Sequence, residues 1–166
     1  MRHILSVLLE NEAGALSRVV GLFAQRNYNI ESLAVAEIDR KKRLSRITIV
    51  TKGTPEVIQQ IKLQLGKLIP VHKVAGFFRN DKKVLFRELA LFKVVGASKK
   101  LDKVKKLCKK HNAVILDKTK KSFVIQVTAL RREIDKLIIT LTPLGLVSAS
   151  RTGAVAMTRG EEIFTQ

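Results

Sequence analysis

Hydrophobic and polar positions along the chain fall into two rounds of the same order. Ile4 to Leu9 is apolar apart from Ser6, as expected of a central strand covered on both faces. Leu16, Val19, Val20 and Phe23 then recur at helical spacing, with Ser17, Arg18, Gln25 and Arg26 left for solvent. Asn27-Tyr28-Asn29 breaks that helix. Ile30 to Ile38 alternates as a strand, with Glu31, Leu33, Val35 and Glu37 on one face and Ile30, Ser32, Ala34 and Ala36 on the other. Asp39 to Arg43 is too charged for burial and too short to cross a sheet, so it is a hairpin turn into the strand Leu44 to Thr51. Thr54-Pro55-Glu56 supplies a cap, a first-turn proline and an acid for a helix with Val57, Ile58, Ile61 and Leu65 on its buried stripe. Leu68 to Phe78 closes the round as a fourth strand, in which Pro70 marks an edge position or a bulge.

Strand-helix-strand-strand-helix-strand is the split βαβ, or ferredoxin-like, order: four antiparallel strands with two helices on one face. The other face needs cover, and a partner chain is the expected source. After a polar break around Arg79 to Lys83 the grammar repeats: strand Phe86 to Val95, helix Ser98 to His111, strand Ala113 to Asp117, turn Lys118 to Lys121, and strand Ser122 to Thr128. A helix carrying Leu130, Ile134, Leu137, Ile138 and Leu141 follows, then a strand Leu144 to Ser150 after Pro143. The expected class is α+β, two ferredoxin-like βαββαβ domains in tandem, with boundaries at 1–77, a linker at 78–84, and 85–166. The tail from Arg151 has no periodicity that places it.

Composition narrows the class. With 166 residues, 46% of them hydrophobic, the chain can bury a substantial core. No apolar run approaches the roughly 20 residues that cross a bilayer, and the start lacks a signal-peptide h-region, so a cytoplasmic protein with no membrane partner is expected. The single cysteine, Cys108, has no partner at ligand or disulfide spacing and reads as a small core residue. Net charge is +18, divided as +6 over residues 1–77 and +12 over residues 78–166. Such a surplus can mark a nucleic-acid partner, and it can also be no more than a solvated lysine-rich surface. A basic nucleic-acid-binding module is therefore the alternative function, but the strands Leu44 to Thr51 and Ser122 to Thr128 lack the aromatic pattern of RNA-recognition sheets.

No nucleophile elbow, paired-histidine metal motif, C-x-x-C, P-loop or dinucleotide fingerprint is present, and the three histidines are scattered. No catalytic residue, no metal ligand and no cofactor site is assigned, and intrinsic enzyme activity is not expected. The stretch with chemical promise is Asn11-Glu12-Ala13-Gly14-Ala15-Leu16, which joins the first strand to the first helix. It leaves the first helical N–H groups pointing outward, where an anion is favoured, and Asn11 adds a side chain that both donates and accepts. An ordinary helix cap is the other role open to it.

Two blocks go beyond pattern: Leu5-Ser6-Val7-Leu8-Leu9-Glu10-Asn11-Glu12-Ala13-Gly14-Ala15-Leu16-Ser17-Arg18-Val19 and Tyr28-Asn29-Ile30-Glu31-Ser32-Leu33. Together they closely resemble the small, regulatory subunit of acetolactate synthase (acetohydroxyacid synthase), an ACT-domain family, and Arg151-Thr152-Gly153 with Thr158-Arg159-Gly160 resembles that family's carboxy-terminal signature. The resemblance implies an amino-terminal ACT domain that forms a homodimer, binds valine as feedback inhibitor in the dimer interface, and activates a separate large catalytic subunit in branched-chain amino-acid (valine, leucine, isoleucine) biosynthesis. That subunit is expected to carry thiamine diphosphate, Mg²⁺ and FAD and to condense pyruvate with a 2-keto acid. The effector site implied is Asn11, Gly14, Ala15 and Leu16 of one protomer with Asn29 and Ile30 of the other.

Overall fold

The apolar run at the start of the chain becomes β1 (Arg2–Glu10), buried without interruption from His3 to Leu9, in a computed structural model that describes residues 1–78 and 82–161. α1 (Ala15–Gln25), β2 (Ile30–Asp39), β3 (Leu44–Lys52), α2 (Pro55–Leu65) and β4 (Val71–Phe78) follow. The four strands make an antiparallel sheet in the order β2-β3-β1-β4, with β2 and β4 at its edges. Thr54 caps α2, its Oγ1 accepting the Val57 N–H at 3.4 Å, with Pro55 at the first position. Pro70 stands just before β4, and the β1–β4 register slips between Leu8 and Leu9. The proline thus marks both an edge and a bulge.

Odd-numbered residues of β1 build the core under the helices. Leu5, Val7 and Leu9 pack with Ile47, Ile49, Val19, Phe23, Ile58, Ile61 and Leu65, all buried. Burial of each such side chain is worth ~1.5–3 kcal/mol. β2 departs from the expected alternation at one point. A bulge between Ile30 and Ser32 moves Ile30 onto the same core face as Leu33, where simple alternation put the two on opposite faces.

The second round folds as expected: β5 (Val84–Val95), α3 (Ser98–Lys110), β6 (Val114–Lys118), β7 (Ser122–Ala129), α4 (Arg131–Leu141) and β8 (Leu146–Arg151), with a single 3₁₀ turn Thr142–Leu144 before β8. The strand order is β6-β7-β5-β8. Ala90, Phe92, Val94, Phe123, Ile125 and Val127 face Leu101, Val104, Cys108, Ile134, Leu137 and Leu141 across its core. Cys108 is the core residue its spacing implied, and burial pushes its thiol above the ordinary range. The block Arg151-Thr152-Gly153 fastens the end of this unit. Arg151 grips Glu88 through two nitrogens at 2.6 and 3.1 Å and Asp135 through a third at 2.8 Å, and the Thr152 N–H donates to the Leu89 carbonyl at 3.1 Å.

The tail is placed by packing rather than by periodicity. The chain forms two compact units, one of Met1–Phe86 together with the residues from Ala154 on, the other of Arg87–Gly153. The expected boundaries put everything after residue 84 in one domain, and part of the expected linker, 79–81, lies outside the described residues. β9 (Val155–Thr158) pairs with β5, and the Arg159 N–H donates to the Lys83 carbonyl at 2.7 Å. Ala154, Ala156 and Val84 are buried with Ile4 and Val50, and Phe77 and Phe86 pack beside them. Ile4 and Val50 sit opposite each other in the β1–β3 register, on the sheet face away from the helices. That part of the face is covered by this chain's own end and not, as expected, by a partner, because the alternation Ala154, Ala156 presents a row of small side chains that fit against larger ones.

Candidate functional site

The turn after β1 is held at both of its ends by the backbone. The Asn11 N–H donates to the Arg43 carbonyl at 2.6 Å, which pins the turn to the β2–β3 hairpin. Gly14 is the N-cap of α1 and lies in the left-handed region at φ 83°, with no side chain capping the helix. The Ala15 N–H closes on the Glu12 carbonyl at 3.2 Å and the Arg18 N–H makes the first helical bond, to Gly14, at 3.0 Å. The Leu16 and Ser17 N–H groups are left as the open donors of this helix start. Ala15 is buried in the core and can offer a ligand only backbone, whereas Leu16 is exposed.

Two side chains of the turn have polar partners: Glu12 accepts from Arg18 at 3.0 Å, close by along the chain, and Asn11 reaches much farther. Its Nδ2 donates to Glu37 Oε1 at 2.9 Å, 26 residues along the chain. Strand register explains the meeting: Glu10 pairs with Leu44 on β3 and Glu37 with Ser45, so the end of β1 and the end of β2 lie at the same end of the sheet. Glu37 is thus a site neighbour that sequence reading put on the right strand face but did not join to Asn11. A cleft of about 530 Å³ opens nearby, lined by residues that include Leu8, Glu10, Asn11, Glu12, Arg43 and His72. It includes Asn11 alone of the six expected site residues.

Asn29 and Ile30 lie elsewhere in the same chain. Ile30 pairs with Thr51, which pairs with His3, so this pair stands at the opposite end of the sheet from Asn11. At ~3.3 Å per residue, the length of β1 separates the two groups by roughly 25 Å. One copy of the chain does not bring the six residues together. The second group has supports of its own. Thr51, fully buried, donates its Oγ1 hydrogen to the Asn29 carbonyl at 2.7 Å. Glu31, with its side chain 8% exposed, receives Arg2 at 2.7 Å and Lys52 at 2.8 Å. Burial raises the Glu31 carboxyl, but the bonds and charges of those two cations outweigh it and hold the group below the ordinary carboxylate range. Neither support carried a sequence signal, because each arises from cross-strand pairing.

Apolar side chains also stand exposed around β2 and α1. Leu16, Val20, Val35 and Ile38 are each between 38 and 47% exposed. They belong to the element nearest the free edge of the sheet, β2, and to the helix that opens at Gly14. Among the described residues no helix is long and apolar enough to cross a membrane.

Comparison with known proteins bears on all of this. Residues 5–73 match the family described as AHAS small subunit-like ACT domain, and residues 87–160 match the small subunit of acetolactate synthase. The chain is 43% identical to the acetolactate synthase small subunit of Haemophilus influenzae, covering 98% of each chain. It is 40% identical to the isozyme 3 small subunit of Escherichia coli, covering 99% of each. The crystal structure of the small subunit from Thermotoga maritima superposes with a TM-score of 0.88 at 31% identity, covering 98% of this chain and 99% of that one.

Proposed function

The chain belongs to the acetolactate synthase small-subunit family, and from that premise we propose that it binds a separate catalytic subunit, raises its output of acetolactate, and lowers that output when valine occupies the ACT domain. The condensation itself, and the thiamine diphosphate, Mg²⁺ and FAD expected to serve it, belong to the catalytic subunit. Valine is the end product of branched-chain synthesis, so its binding here closes a feedback loop.

The observation that carries the effector reading is the uncapped start of α1. Gly14 in the left-handed region leaves the Leu16 and Ser17 N–H groups free to receive a carboxylate, and Asn11, earlier in the same turn, carries an Oδ1 that can accept. A homodimer supplies the rest. β2 is an edge strand, and pairing it antiparallel with the β2 of a second copy satisfies its unpaired backbone groups. With the two-fold axis near Leu33 and Ala34, residue 30 of one copy falls opposite residue 37 of the other, which is the residue Asn11 reaches. Asn29 and Ile30 of the partner would then stand next to Asn11, and Ile30 offers the apolar wall that a small branched side chain needs.

The test is to mix the chain with its catalytic subunit and measure acetolactate with and without valine. Gly14→Asp puts a carboxylate where the ligand's is received. A Cβ at Gly14 meets nothing within 4 Å, and aspartate tolerates left-handed backbone better than most residues, so the variant is expected to fold and activate yet lose valine inhibition. Unchanged valine binding by calorimetry in that variant would overturn the site.

A further inference from the structure

We infer that Glu37 reads the ammonium group of the ligand, and that it thereby separates α-amino acids from 2-hydroxy and 2-keto acids of the same carbon skeleton. The inference rests on the effector reading above and extends it to a residue that the turn itself does not contain.

The problem the site faces is chemical. Acetolactate, the compound for which the enzyme is named, is a branched five-carbon 2-hydroxy acid, close in size to valine and carrying the same carboxylate. Open helical N–H groups receive that carboxylate from either molecule. The Oδ1 of Asn11 is neutral and accepts a hydroxyl hydrogen as well as an ammonium hydrogen. A negative charge at the second pole distinguishes the two ligands most strongly, and Glu37 provides one.

Its surroundings fit that task. Glu37 lies two residues beyond Val35, which pairs with Ile47 of the core, so its side chain is on the helix-bearing face of the sheet where α1 begins. Oε1 accepts from Asn11 at 2.9 Å, fixing that amide with its Oδ1 turned free and placing a full charge within one side chain of it. Other carboxylates at this end have neighbours of their own: Glu12 holds Arg18 at 3.0 Å, Asp39 accepts the Lys42 N–H at 3.0 Å, and Glu10 stands 3.5 Å from His72. The Glu37 side chain is 34% exposed, and among the described residues the cation paired with it is Arg40, at 3.5 Å on a side chain 93% exposed. Such a solvated partner is easily displaced by a ligand's ammonium.

Calorimetry on the full chain with valine and with 2-hydroxy-3-methylbutanoate, its hydroxyl counterpart, tests the assignment. The unaltered chain should bind valine at least about tenfold more tightly, and Glu37→Gln should reduce valine affinity by about tenfold while leaving the hydroxy acid within about twofold, as loss of a charged hydrogen-bond partner implies. Arg40→Ala, which removes the competing cation, should strengthen valine binding by about twofold at low salt, a change that misfolding does not produce. If Glu37→Gln keeps the original ratio of the two affinities, or if Arg40→Ala weakens valine, Glu37 is not the reader and the effector site itself still stands. If the unaltered chain binds neither compound, the effector reading falls and this inference falls with it.

Discussion

Single residues in this protein acquire their roles from strands far away in sequence. Thr51 illustrates it: nothing in a run of alternating residues distinguishes it, yet its hydroxyl fixes the carbonyl of Asn29. Thr51→Val keeps the shape and removes the donor, so stability should fall by about 1 kcal/mol, read as a lower midpoint in thermal denaturation. Valine affinity should fall as well, because Asn29 and Ile30 lose their anchor. A lowered midpoint with unaltered calorimetric affinity would confine Thr51 to a structural part. The candidate site was half legible for the same reason. Asn11 and Gly14 announce themselves by standing between a strand and a helix, whereas Glu37 and Thr51 join only once β1, β3 and β2 are in register.

At the scale of elements, sequence periodicity was a reliable guide wherever one face of an element is apolar. The stripes of α2 and α4 and the pairing of β2 with β3 follow from it, whereas in α1 only Val19 and Phe23 of the expected stripe are buried, Ala15 joining them while Leu16 and Val20 stand exposed. It failed at Ile30, where an inserted residue reverses the facing of everything before it, and no composition rule marks a bulge that lacks glycine or proline. Gly145 shows the opposite case, an element boundary written in one residue. It ends the 3₁₀ turn before β8 at φ 106°, and a Cβ there would lie 2.1 Å from the Val95 carbonyl oxygen. Backbone cannot give way as a flexible side chain can. Gly145→Ala should therefore cost about 3 kcal/mol or more through strain and displaced backbone, and should lower the thermal midpoint far more than the same change at Gly21, where a Cβ meets nothing within 4 Å.

For the whole molecule, the tail is what the sequence concealed. Ala154 and Ala156 are too small and too few to announce a strand, and their destination is set by the surface left open on the first sheet. Ending the chain after Gly153 should bare Ile4, Val50 and Val84 together. We expect the truncated protein to bind a hydrophobic dye that the full chain does not, and to unfold at lower denaturant concentration. Equal midpoints for the two would show that the tail adds nothing. The charge surplus of the second half calls for no separate function: its lysine-rich helix α3 buries Leu101, Val104 and Cys108 and turns its lysines outward.

The return of the tail also sets a cost of closure. Joining residue 154 to residue 4 directly would close a loop of about 150 residues, and loop entropy grows by ~0.6 kcal/mol with each doubling of length. Once residues 87–153 have folded, the pairing of β5 with β8 and the bonds between Leu89 and Thr152 hold the two ends of that segment side by side. The effective loop then shrinks to a few residues, and the entropic cost of seating the tail falls by about 3 kcal/mol. The second unit thus works as a clasp whose own folding makes covering of the first sheet cheaper, although the residues that cover it follow the second unit in the chain.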